Sequence, residues 1–217
     1  NLTQNRPFGR RELSEAALRR HFGSVCQMPV IIVHRNRLEA DFELTAAESQ
    51  LQSMFASENR RSDYLIGRSA LKAALAAIGK GEDTAAITWP SPFCSLSHSQ
   101  GHAVAVSQER GQGIGIDLQL IKKPALTMAD RILSGDTLAY WQSLPAAEQA
   151  RDLQRFWTVN EAVYKACPAP QPAYFRHYRM HAAADMDGLL TIDGSDYRFM
   201  VHTVALDEAF ISLAYRI

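Results

Sequence analysis

The clearest helical pattern in the chain is Phe156-Trp157-Thr158-Val159-Asn160-Glu161-Ala162-Val163-Tyr164-Lys165, which holds neither Pro nor Gly. Phe156, Val159 and Val163 recur at three- and four-residue spacing and predict a stripe facing a core. Trp157, Glu161 and Lys165 stand four apart, so they predict a second face with an aromatic ring, a carboxylate and an ammonium. An earlier periodic stretch runs from about residue 58 to 78 and is closed by Gly79. Its Leu71, Leu75 and Ile78 face a core, while Arg61, Arg68 and Lys72 form a separate basic stripe that reads equally well as a solvated face. Thr45 and Glu48 are spaced as a capping box and predict a helix from about Ala46. Residues 124–155 read as mostly helical with a break at Leu144-Pro145, and the Trp157 helix stops before the Pro168–Pro172 run.

Apolar runs predict strands at Val30–Val33, 102–107 and 114–118, the last two joined through Gly111-Gln112-Gly113 as a hairpin turn. Three more are expected at Leu189–Ile192, Tyr197–Val204 and Ala209–Arg216, set off by Asp187-Gly188 and Asp193-Gly194-Ser195. Residues 1–27 are basic and polar; a short amphipathic helix at Ser14–Phe22 is expected on a solvated periphery. Strand, helices and strand recur in residues 30–108 and again in 114–216, which predicts an α+β fold.

Charge narrows the function. The 217 residues carry 23 basic and 23 acidic side chains, a balance that argues against a general nucleic-acid binder. Cys26, Cys94 and Cys167 are widely spaced and odd in number, which suggests reduced thiols in a cytoplasmic protein rather than a disulfide framework or zinc site. No apolar run reaches the roughly 18 residues of a membrane helix, and no signal-peptide core precedes the first helix, so no membrane association is expected.

Three short stretches carry candidate chemistry. Glu161 and Lys165 form either a solvated i,i+4 ion pair or part of a site. Asp117 ends the apolar strand Gly113-Ile114-Gly115-Ile116 and is either a strand-end aspartate or a ligand. A strand-end Asp and a helical Glu, far apart in sequence, can share a hard cation such as Mg²⁺. The third stretch is Ser95-Leu96-Ser97-His98-Ser99-Gln100-Gly101, ahead of the strand from His102.

Together these stretches resemble the 4′-phosphopantetheinyl transferases of the larger surfactin-synthetase-activating (Sfp) type. The shared pattern is Ser-His before a strand, then Gly-(Ile/Val)-Asp, then roughly forty residues later Trp-x-x-Lys-Glu-(Ala/Ser)-x-x-x-Lys. Here the last block reads Trp157-Thr158-Val159-Asn160-Glu161-Ala162-Val163-Tyr164-Lys165. The resemblance covers roughly residues 45 to 215 and implies a pseudo-dimer of two similar α+β halves with the site at their junction. It places the nucleotide end of coenzyme A in residues 1–112 and the metal and catalytic residues in 113–217. It implies Mg²⁺ held by Asp117, Glu161 and Gln119, catalysis by Glu161 and Lys165, and coenzyme A held by Arg61, Arg68, Ser97, His98 and Lys165. The implied partner is an apo acyl or peptidyl carrier protein, and the implied state is a monomer. The sequence departs from the pattern twice: Asn160 stands where Lys is usual, and Gln119 where a second acid is common. These departures motivate a rival reading, a catalytically degenerate homologue that binds coenzyme A or a carrier protein. A further rival is an unrelated Mg²⁺-dependent phosphate-binding enzyme. Helix 124–140, with Lys122, Lys123 and Arg131, is the expected docking surface for an acidic helix of the carrier.

Overall fold

The structure, a computed structural model, describes residues 13–37, 43–81, 83–121, 126–171 and 174–217. The basic residues Arg6, Arg10, Arg11, Lys122 and Lys123, and Pro172 of the proline run, lie outside the described residues.

Two antiparallel sheets organise the chain. The first is built from β1 (Ile31–Asn36), β2 (Cys94–Ser99) and β3 (His102–Ser107), in the order β1-β3-β2. The second is built from β4 (Ile114–Leu120), β5 (Tyr178–Met180), β6 (Asp187–Ile192), β7 (Arg198–Ala205) and β8 (Ala209–Arg216), in the order β4-β8-β7-β6-β5. Helices α2 (Ala46–Ser53) and α3 (Glu58–Ala76) lie between β1 and β2 in sequence. Helices α4 (Ala129–Ile132), α5 (Gly135–Ser143) and α6 (Ala146–Ala166) lie between β4 and β5. Helix α3 covers the small sheet, burying Ile66, Ala70, Leu71 and Ala74 against Val33, Ala103 and Ala105. Helix α6 covers the large sheet, burying Phe156, Val159 and Val163 against Leu190, Phe199 and Val201. The core stripe expected from the Trp157 helix is therefore correct, and that helix is continuous with the helical residues before it, beginning at Ala146 after the Leu144-Pro145 break.

Helix α1 (Glu15–Val25) overturns the expected solvated periphery. Its Leu18 and Phe22 have no exposed surface and pack on Ile32 of β1, Val104 and Val106 of β3, Ile116 of β4 and Leu213 of β8. The helix thus seals the second face of both sheets at once. The predicted stripe was real, but its apolar side found partners more than 180 residues away that local pattern cannot show.

Three other expectations change. The Gly111–Gly113 turn is not a hairpin: β3 pairs with β1 and β2, and β4 pairs with β8 in the other sheet. Helix 124–140 is broken, because Leu133 and Ser134 are extended and Gly135 takes φ +54° between α4 and α5. The edge strand β5 had no sequence signal at its three residues.

Candidate functional site

The small sheet ends at β2 and the large sheet begins at β4, and these two edge strands face each other without a ladder. Serine hydroxyls on β2 satisfy the facing groups instead. Ser95 Oγ accepts from the Ile116 amide at 3.1 Å, and the buried Ser97 hydroxyl donates to Asp117 Oδ1 at 3.0 Å. An exposed sheet edge is thereby closed by side chains rather than by another strand.

Asp117 is the centre of this seam, with 2% of its surface exposed. Lys165 Nζ lies 2.7 Å from its Oδ1 and also donates to the Ile116 carbonyl at 3.1 Å. Gln119 Nε2 donates to Oδ2 at 3.0 Å. A buried carboxylate needs this much compensation, because an unpaired buried charge costs several kcal/mol. The i,i+4 pair considered for Glu161 and Lys165 is replaced: among the described residues Lys165 forms its salt bridge with Asp117. Glu161 is half-buried on the same face of α6. Burial pushes its carboxyl above the usual range, the Asp117 charge pushes it further, and Lys165 opposes both. Asp117 raises its neighbour Glu161, a strain that a shared cation would relieve, and carboxylate oxygens suit Mg²⁺. Among the described residues no group of three His, Cys, Asp or Glu side chains gathers.

Beside this seam lies a cleft of about 310 Å³ lined by Arg68, Trp89, Ser95, Leu96, Tyr164 and Lys165, with Pro90 and Gln171 at its rim. Its charged lining residues are two cations, and Trp89 is 44% and Tyr164 36% exposed. Arg68 extends over the Tyr64 ring, 4.8 Å from its centroid, and donates to the Thr84 carbonyl at 3.2 Å. Two cations and two exposed aromatic rings suit a nucleotide, whose phosphates and base each find a matching surface.

The remaining expected residues separate. His98 lies within β2, not in a polar loop, and its ring rests near Gly67 of α3. The surrounding protein lowers the imidazole pKa; Lys165 and Arg68 add to this, and Asp63 and Asp117 oppose it. Arg61 turns away, donating to the Phe55 carbonyl at 2.8 Å. Lys72 leaves the basic stripe to pair with the fully buried Glu48 at 2.8 Å. Asn160 does not line the seam: it is buried on the core side of α6 and donates to the Ile132 carbonyl at 3.1 Å, tying α4 to α6. A lysine there would place a charge in the core, so the sequence's departure at this position is a packing choice. Sequence reasoning left Trp89, Pro90, Tyr164 and Gln171 unassigned. Trp89-Pro90-Ser91-Pro92, just ahead of the Ser-His strand, was their available signal.

Residues 113–212, a little under half of the chain, match the family model described as the 4′-phosphopantetheinyl transferase superfamily. That span contains Asp117, Gln119, Glu161 and Lys165. A solved structure that resembles the chain is the holo-[acyl-carrier-protein] synthase of Thermotoga maritima, with 16% identity and a TM-score of 0.40. The likeness covers 48% of this chain and 62% of that one. No curated protein matches the sequence.

Proposed function

We propose that the chain transfers 4′-phosphopantetheine from coenzyme A to a serine of an apo acyl or peptidyl carrier protein, releasing adenosine 3′,5′-bisphosphate. The observation that carries this reading is the meeting of Asp117, Lys165 and Glu161 beside a cation-lined aromatic cleft, inside the span that matches the family. The rival degenerate reading loses one of its two motives, because Asn160 serves the core rather than the site.

In this reading the serine oxygen attacks the β-phosphorus of coenzyme A, and the bond from that phosphorus to the bridging oxygen breaks. The nucleotide leaves with the electron pair. Phosphoryl transfer of this kind depends on positioning and charge neutralisation. Asp117 and Glu161 would hold Mg²⁺, which when bound neutralises pyrophosphate charge. Gln119 would join them only with its amide turned, since its nitrogen now faces Asp117. Lys165 and Arg68 line the cleft from opposite halves and hold phosphate oxygens. Trp89 and Tyr164 offer flat faces to the base. Glu161, directly or through water, takes the serine proton. Ser97 acts on Asp117 through its hydrogen bond and is a positioning residue; His98 stands at the nucleotide end.

The shared order of strand, helices and strands around each sheet supports the larger Sfp-type, pseudo-dimeric arrangement, divided near residue 112. The deciding experiment incubates the protein with coenzyme A, Mg²⁺ and apo acyl or peptidyl carrier proteins, and weighs the carriers by mass spectrometry. One phosphopantetheinyl group gained on a carrier is expected; no gain on either carrier class by the folded protein overturns the proposal.

A further inference from the structure

The Lys165 ammonium sits between one carboxylate oxygen and one backbone carbonyl, Asp117 Oδ1 at 2.7 Å and Ile116 O at 3.1 Å. These are the donor types a hard divalent cation takes. The ammonium thus occupies the carboxylate oxygen that a metal held by Asp117 and Glu161 would need. Asp117 has little else to offer. Oδ1 also receives the Ser97 hydroxyl and Oδ2 the Gln119 amide, so three of its roughly four acceptor positions are used. Lys165 lines the adjoining cleft as well, together with Arg68. Its four-carbon stem is flexible and its charge is a compact point, so the head can serve either place while the stem stays put.

We propose that Lys165 is a resident counter-cation that holds the metal position of Asp117 and hands it over when a divalent cation binds, moving its charge to a phosphate in the adjoining cleft. This rests on the transferase reading of the site. Buried Asp117 then keeps a cation beside it at every stage, which avoids the cost of a bare buried charge. Metal and ammonium compete for Oδ1, while phosphate and metal help each other: phosphate draws Lys165 away and so opens Asp117. By linkage the metal strengthens phosphate binding by the same factor. Lys165 thereby makes divalent binding weak without nucleotide and strong with it.

The test uses Mn²⁺ as a spectroscopic probe of the metal position and adenosine 3′,5′-bisphosphate as the phosphate, with the full chain throughout. Mn²⁺ affinity is measured by electron paramagnetic resonance for the parent, Lys165→Met, Lys165→Gln and Arg68→Met, each checked for folding by thermal melting. Without nucleotide, Lys165→Met binds Mn²⁺ about 10-fold tighter or more, because the competitor for Oδ1 is gone. Lys165→Gln, which keeps a donor but no charge, also binds tighter and serves if Lys165→Met does not fold. Arg68→Met, which removes a cleft charge that does not touch Asp117, changes affinity by less than about 3-fold. Added bisphosphate tightens Mn²⁺ binding more in the parent than in Lys165→Met. Equal or weaker Mn²⁺ binding by both Lys165 variants overturns the hand-over, as does an Arg68→Met gain as large as theirs, which would mark a general charge effect. Failure of the transferase reading looks different: no bisphosphate binding and no mass gain on a carrier, whatever the Mn²⁺ ranking.

Discussion

Helix α6 meets β4 backbone to backbone, while α3 meets β2 through side chains. A Cβ added at Gly115 of β4 would fall 1.9 Å from the Ala162 carbonyl oxygen of α6, and one at Gly113 would fall 2.1 Å from that of Ala166. A Cβ added at Gly67 of α3 would meet only side chains, the end of Leu96 at 3.1 Å and the His98 ring at 3.7 Å. The carboxylates differ in the same sense. Glu48, beside α3, is lowered to about 2: burial raises it, but hydrogen bonds from Lys72, Thr84 and Thr45 outweigh that. Glu161, on α6, is shifted upward by burial and by Asp117. The small-sheet half neutralises its own buried charge and packs with adaptable side chains. The large-sheet half is spaced by rigid backbone, pairs its buried Asp117 with Lys165 and leaves the Glu161 carboxyl raised. Fixed spacing thus sits where the reacting charges meet, and tolerance where a flexible nucleotide would be held.

The sharpest way to break this contrast is to neutralise the large-sheet carboxylates. Asp117→Asn and Glu161→Gln should each lower transfer by roughly 10²–10³-fold or more with the fold retained, read as kcat on an apo carrier alongside a melting curve. Near-parental turnover by either variant removes it from the site. Next in size is Gly115→Ala, which must push α6 off β4 and should cost about 3 kcal/mol or more in urea unfolding.

Third is the acid behaviour of Glu48. Its folded pKa lies below the ordinary 4.5, so its stabilisation is present above 4.5 and is lost as pH falls from 4.5 through about 2. Glu48→Gln should cost roughly 2–3 kcal/mol at neutral pH and make stability flatter across that window. Parallel parent and variant curves of melting temperature against pH would contradict the assignment.

Arg68→Met should raise the Michaelis constant for coenzyme A about 10-fold with little change in turnover, since it would hold a part of the substrate that does not react. A fall in turnover at constant KM would instead move Arg68 to the reacting centre. The smallest effect belongs to Gly67→Ala. A gain in helix propensity and a slight shift of Leu96 nearly cancel, and stability should stay within about 1 kcal/mol of the parent. A cost as large as that of Gly115→Ala would erase the contrast between the two interfaces.

Periodicity made α3, α6 and most strands legible, because their apolar stripes repeat within a few residues. The face shared by Trp157, Glu161 and Lys165 followed from helix geometry alone. Lys165's choice of Asp117 over Glu161 could not, since it depends on the glycines that let α6 lie directly on β4. Arg61 and Lys72 looked like Arg68 in the sequence, but a loop carbonyl and a buried glutamate claimed them. The task of serines 95 and 97, closing one sheet edge onto another, exists only in three dimensions and leaves no periodic signal.

The strand order of the large sheet also sets a timetable for synthesis. Strand β8, the latest of the eight in the chain, lies between β4 and β7, and Ile114 of β4 pairs with Tyr215 of β8. At about 5–20 residues per second on the ribosome, β4 waits several seconds before its partner exists. Over that interval Asp117 has its neighbouring serines but no finished sheet behind it, and α1 lacks half of the surface it covers. The nascent chain therefore cannot hold a finished seam, and its apolar β4 edge stays open to wrong partners until β8 has been made.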